Sequence, residues 1–375
     1  MDTNIYYENN NHHDNRYAPY KCLTSNNANT RKLFLQLPSM LYDADENPQN
    51  IKVEQQILSK THVLSQNFKV YPFIITDRDG MPISRCLMTY YDNDPTAYVG
   101  FFESYDDTEA VQKMFAYVER KAKMDGKTSI VGPVDASIFI NYRFKVNCFD
   151  REQYVGEPYN KDYYKLLWEE SGFKSFDSCS SYDLCGIGEI DTSNPLYIAY
   201  HDCKDKGYEF KSPDIGEFDN CLDDMYELFI KSHHIPFVNQ IPSKEQFLTL
   251  FGQLEEIIDY DMIQLVYFEK KLKAFVIASP NYGTLLKKKD GFVKWMKVGK
   301  IRRNPRDYAI WNIESENDDQ NIISALLYLT LEELRERKCT PVGAMVKNKG
   351  IVSDVYRGFQ RGEKYRYVLM SKEIN

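Results

Sequence analysis

Two stretches of the chain repeat an unusual order of polar residues. Residues 101–110 read FFESYDDTEA and residues 312–321 read NIESENDDQN. Each sets Glu-Ser at the end of an apolar run, then an Asp pair, then an amphipathic segment. A strand that passes through a short loop into a helix exposes the first N–H groups of that helix. Those donors, with the positive end of the helix dipole, suit a pyrophosphate. The Asp pairs argue the other way, because a carboxylate repels phosphate and caps the same N–H groups itself. The pattern is compatible with an anion site or with a self-capped helix, and leaves both open.

The elements that position these loops recur in one order. VYPFIITDRDG (70–80) and MPISRCLMTYY (81–91) read as a hairpin around the turn signal DRDG, and TAYVGFFES (96–104) as a third strand. Val111, Met114, Phe115, Val118 and Ala122 fall at helical spacing and predict a helix over 107–127. TSIVGPV (128–134) predicts a strand and 161–173 a short helix. A turn-rich stretch at 186–215 reads as a linker. Helices at 216–233 and 243–258 follow, then a hairpin at 261–279 and a strand at 307–315. A helix at 321–337, a strand at 340–346, a short helix at 351–359 and a strand at 365–371 complete the order. A shift of 211 residues lays Glu103 on Glu314, Ser104 on Ser315, Asp107 on Asp318, Tyr117 on Tyr328 and Gly132 on Gly343. The expectation is an internal duplication: a polar arm (1–29), a first unit (30–190) and a second (191–375).

The 375 residues suit two domains rather than one core. A net charge of −8 argues against a nucleic-acid partner and suits a cationic substrate. Eight cysteines without a C-x-x-C pair, no secretory signal and no apolar run of bilayer length lead to the expectation of a cytoplasmic protein with no membrane partner. The histidine pair in SHHIPF (232–237) lacks metal-ligand spacing, and no metal is expected. The basic stretch 285–303, with Trp295, reads as a solvated hairpin or as a nucleic-acid or phosphate patch. No G-x-S-x-G, Walker loop or G-x-G-x-x-G is present.

The element order, with DRDGMPISR, VGFFES, GPV (132–134), Pro158-Tyr159-Asn160, FVIASPNY (275–282) and KIRR (300–303), resembles a GNAT-type acyltransferase present twice. It is similar to the bacterial tandem GNAT proteins that acetylate amino-bearing antibiotics in self-resistance, of the zwittermicin A type. The resemblance implies an α/β fold of two tandem GNAT-like domains, each a mixed central sheet flanked by helices. It implies acetyl-CoA as co-substrate and a small cationic amine as acceptor, with a monomer sufficient. Acyl-CoA would lie along Ile313 and Ser315, with its pyrophosphate on Asp319, Gln320, Asn321 and Ile322 and with Asn348 beside it. Neither half keeps the glycines of the family's phosphate loop. Glu314 at the strand end would act as base, directly or through a water, and Tyr356 would protonate the departing thiolate. Glu103 and Tyr159 would meet the substrate, in the cleft between the halves. Other readings are a long-chain acyl or aminoacyl-tRNA donor, and a non-catalytic binding protein.

Overall fold

The computed structural model describes residues 19–43, 49–185, 187–214, 216–232, 241–288 and 291–374. The His233-His234 pair lies outside them. The first half runs β1 (Lys21–Leu23), α1 (Ala28–Leu41), α2 (Ile51–Ser59), β2 (Phe68–Thr76), β3 (Pro82–Tyr91), β4 (Thr96–Ser104), α3 (Thr108–Met124), β5 (Ser129–Gly132), β6 (Phe144–Lys145), α4 (Tyr164–Glu170) and β7 (Lys174–Asp183). The second runs α5 (Pro195–Asp205), β8 (Glu209–Lys211), α6 (Phe218–Ser232), α7 (Lys244–Gly252), β9 (Ile263–Phe268), β10 (Lys271–Pro280), α8 (Phe292–Arg303), β11 (Asp307–Ser315), α9 (Gln320–Glu336), β12 (Thr340–Lys347), α10 (Ile351–Phe359) and β13 (Tyr365–Glu373). The stretch read as a linker thus carries α5, capped by Asn194 and opened by Pro195. The stretch read as a hairpin carries α8, whose Lys294, Val298 and Ile301 share one inward face at helical spacing.

All the strands join one mixed sheet, in the order β1-β2-β3-β4-β5-β13-β7-β12-β11-β10-β9-β8, with β6 beside β13. The last strands of the two halves are exchanged. β13 pairs with β5 of the first half, and β7 pairs with β12 of the second. The sheet therefore runs without a break across the 190/191 division. Glu157, buried in the loop before α4, accepts hydrogen bonds from Ser181 of β7 and Tyr367 of β13 and fastens the exchanged pair.

Helices cover both faces, because apolar side chains point to both sides of the strands. In the first half, α3 and α4 bury Val111, Met114, Phe115, Val118 and Trp168 on one face. Residues Phe34, Ile57 and Leu58 of α1 and α2 cover the other. In the second half, α5, α9 and α10 pack on Val276, Tyr308 and Ile310, while α6 and α7 pack on Leu265, Phe275 and Ile277.

Candidate active site

The two parallel pairs at the heart of the sheet separate after a short contact. β4 pairs with β5 only from Thr96 to Tyr98, and β11 with β12 only from Asp307 to Ile310. Each central strand carries a bulge where the separation begins. The register between β3 and β4 shifts between Arg85 and Leu87, where Phe101 adopts a φ of +47°. The register between β10 and β11 shifts between Ile277 and Ala278, next to Trp311. A bulge turns the strand and frees a backbone N–H from the ladder. Such an N–H at the base of a gap can polarise a carbonyl.

The two gaps differ. In the first half the chain fills its own gap. Val134 N–H donates to the Val99 carbonyl at 2.8 Å, and the Phe101 N–H at the bulge donates to Asp135 Oδ1. Gly100 is required there, since a Cβ on it would lie 1.9 Å from the Val134 oxygen. Glu103 is sealed beside the filled gap. Its carboxylate accepts from Tyr164 Oη at 2.5 Å and from Gln49, and Arg85, bound to Glu54 at 2.7 and 2.8 Å, stands opposite it. Burial pushes Glu103 up to about 7 against the pull of Arg85 and Tyr164.

In the second half the N–H of Met345, which corresponds to Val134, donates instead to Ser181 Oγ of β7 at 2.8 Å. Glu314 is half-buried at the end of β11 and faces α6, whose last residue donates from Ser232 Oγ to Glu314 Oε2 at 3.2 Å. Burial raises Glu314 to about 7, opposed by Ser232 and by Lys347 across the gap. Lys231, Lys271 and Lys273 stand close enough to act on neighbouring Glu316, and Lys273 is paired with it at 2.5 Å. A half-buried carboxylate raised to about 7 at a strand end, with Lys347 across the gap, is suited to accept a proton.

The remaining expected site residues are not all gathered here. Ile313 is half-buried on the face opposite Glu314, and the hydroxyl of Ser315 is buried without a hydrogen-bond partner among the described residues. Asp319 caps α9, accepting from the N–H groups of Asn321 at 2.9 Å and Ile322 at 3.2 Å. Asn321 is tied to Asp202 of α5 at 2.8 Å, Ile322 is buried, and Gln320 gives its carbonyl to Ser324. The donors expected to hold a pyrophosphate are therefore already used, so this loop does not fit that group. Asp107 caps α3 in the same way. Asn348 turns away from the gap, bonded to Ser178 at 2.7 Å and Ser180 at 2.6 Å on β7.

Tyr356 was expected to protonate the departing thiolate. It is fully buried, and its hydroxyl has no hydrogen-bond partner among the described residues. Its ring fills the slot above Gly343, where a Cβ would sit 2.1 Å from the ring carbon Cε2. In the first half Gly132 offers the same slot to Trp168, at 2.6 Å. The position takes an aromatic ring for packing, and burial pushes the phenol up and keeps it protonated.

Tyr159 lines a cleft of about 900 Å³ between the halves, together with Arg151, Gln153, Asn281, Lys297, Lys300 and Arg306. That cleft opens at Asp307, the start of β11. Seven residues of strand, about 23 Å, separate it from Glu314. Among the described residues no group of three His, Cys, Asp or Glu side chains could hold a metal ion.

No protein-family model matches the chain. A curated relative, Protein YghO of Escherichia coli (strain K12), is 24% identical over 267 residues, spanning 68% of this chain and 67% of that one. Among solved structures, the chain is similar to the GCN5-related glucosamine N-acetyltransferase region of a fungal multi-domain GH3 β-N-acetylglucosaminidase. The TM-score is 0.53 at 11% identity, over 94% of this chain and 38% of that one. A tandem GNAT protein from the clavulanic acid biosynthesis pathway aligns over 95% of this chain and 99% of its own, with a TM-score of 0.48 at 12% identity. The fold is thus a mixed α/β fold of the GNAT type, with a large central sheet flanked by helices, as the sequence led us to expect.

Proposed function

We propose that the chain is an N-acyltransferase that moves an acyl group from a thioester to an amine in the gap of the second half. The observation that supports this is the contrast between the gaps. The first is filled by Val134 and Asp135 with Glu103 sealed beside it, whereas the second is bordered by Glu314, which is only half-buried and is likewise raised to about 7. In the proposed reaction the amine nitrogen attacks the thioester carbonyl carbon. Glu314 takes the proton that the amine gives up, and the carbon–sulfur bond breaks. The thiolate leaves and is protonated by solvent in this scheme, since the Tyr356 hydroxyl is fully buried. Backbone N–H groups at the β11 bulge would polarise the carbonyl.

Acetyl-CoA is the donor that the sequence resemblance implies and the first to test. With the α9 N–H groups held by Asp319, its phosphates would meet Lys231, Lys271, Lys273 and Lys347 instead. The net charge of −8 suits a cationic acceptor, of which an amino-bearing antibiotic is one. Thiol release from acetyl-CoA and longer acyl-CoA donors, with a panel of diamines and amino-bearing antibiotics, tests the reading. Amine-dependent release lost in Glu314→Gln supports it. Absence of release with every donor and acceptor pair would remove it.

A further inference from the structure

The second half carries an insertion that the first lacks. β3 and β4 are joined by residues 92–95, whereas β10 and β11 are joined by residues 281–306, which contain α8. The sequence 285–303, LLKKKDGFVKWMKVGKIRR, holds eight basic residues and one acidic residue in a chain whose net charge is −8. Val298 and Ile301 seat the helix on Tyr282, Leu285 and Ala309. Lys294 fixes its first turn by donating to the carbonyls of Leu286 and Lys288, both at 3.0 Å.

The outward face has no apolar partner among the described residues. Phe292 is 79% exposed, Val293 60%, Met296 54% and Trp295 40%. Exposed apolar residues are ordinary when scattered, and informative when four fall within five positions. Lys297, Lys300, Arg302 and Arg303 are exposed beside them. Aromatic and aliphatic side chains gathered at one end of a short helix, followed by cations, form an apolar tip. Such a tip can enter a headgroup region end-on, unlike the segregated apolar face of a helix lying flat in the interface. A nucleic acid would use the cations and leave Phe292, Val293 and Met296 in water. A second copy of this acidic chain would also meet the cations, and oligomeric state distinguishes it from a bilayer.

We propose that α8 docks this protein on the surface of an anionic phospholipid bilayer, with Phe292, Val293, Trp295 and Met296 entering the headgroup region and the lysines and arginines facing lipid phosphates. This revises the expectation of no membrane partner. It does not require a spanning segment, and no described helix is long and apolar enough to cross a membrane. Lys288, Lys297 and Lys300 also line the cleft between the halves, so its mouth would open toward the lipid surface. Docking does not depend on the acyltransfer reading, and vesicle binding can succeed or fail separately from turnover.

The test is flotation of the full chain with vesicles of phosphatidylglycerol and phosphatidylcholine, set against phosphatidylcholine alone, with tryptophan emission as a second readout. Trp168 is fully buried and Trp311 half-buried, so a blue shift on binding reports chiefly on Trp295. The expected result is binding at least 10-fold stronger to the anionic vesicles, with a blue shift, weakened by added salt. It should fall at least 10-fold in Phe292→Asp/Met296→Asp, which touches no core residue and should leave the circular dichroism unchanged. Equal binding to neutral vesicles, no binding, or full binding by the double variant overturns the proposal. So does a concentration-dependent dimer that buries Trp295 and excludes vesicles.

Discussion

Removal of a single oxygen atom from Tyr356 separates a packing role from a catalytic one. The ring lies in the slot over Gly343 and beside Tyr182, with centroids 5.9 Å apart. The hydroxyl is buried without a hydrogen-bond partner among the described residues. A hydroxyl left buried and unsatisfied costs about 1–3 kcal/mol of stability. Tyr356→Phe keeps the ring, leaves no large cavity and removes that cost. The expected outcome is a gain of about 1 kcal/mol, near the lower end of the range because the ring environment relaxes little. Urea unfolding would show it as a higher midpoint at unchanged slope. Amine acylation should stay within twofold of the parent. Tyr356→Ala, by contrast, should lose about 3–5 kcal/mol by opening a cavity. A destabilised Tyr356→Phe would show that the hydroxyl has a partner in solution. A stable Tyr356→Phe with acylation slowed 100-fold or more would restore the tyrosine as proton donor and refute the packing argument.

Two further outcomes follow from the fold. Arg85→Met strands Glu54 in the core beside Glu103 and should destabilise the chain by about 3–5 kcal/mol, measured by chemical denaturation, because it breaks a buried, doubly bonded ion pair on one side only. The pieces 1–190 and 191–375, expressed alone, should be insoluble or unfolded by circular dichroism, since β5 loses β13 and β12 loses β7; expressed together they should associate into a folded complex.

The sequence exposed what depends on local periodicity. β4, α3, β5 and their counterparts β11, α9 and β12 could be placed because their apolar spacing and turn residues are local signals. β7 could not. Its sequence KSFDSCSSYD has little alternation and few β-branched residues. It is a strand because β13 and β12 pair with it on either side, and its serines bond Asn348 and Glu157. The exchange of β7 and β13 is a property of tertiary pairing that no local window contains. At the site, the Asp pairs correctly suggested helix capping, and Asp107 and Asp319 both cap. The burial of Tyr356 was not legible, because an aromatic residue before Gly-Phe reads alike whether it lines a cleft or fills a core slot. The match between Gly132 and Gly343 carried the missing signal: both glycines make room for a ring, and one of those rings is Trp168.

Glu314 also sets a pH dependence. Its folded value, raised from 4.5 to about 7, means that the neutral acid is favoured by the fold. Its contribution to stability is complete below the unfolded value and is lost as pH rises through about 7. As a base it must be ionised, so the rate should rise over the same interval.

The most direct measurement is the pH–rate profile of amine acylation for the parent, Glu314→Gln and Glu103→Gln. The account predicts a parent rate that rises with pH through an inflection near 7, at least a 100-fold loss in Glu314→Gln, and a folded Glu103→Gln that keeps both turnover and the inflection. A folded Glu103→Gln that loses turnover while Glu314→Gln retains it would place the reaction in the first half and contradict the account.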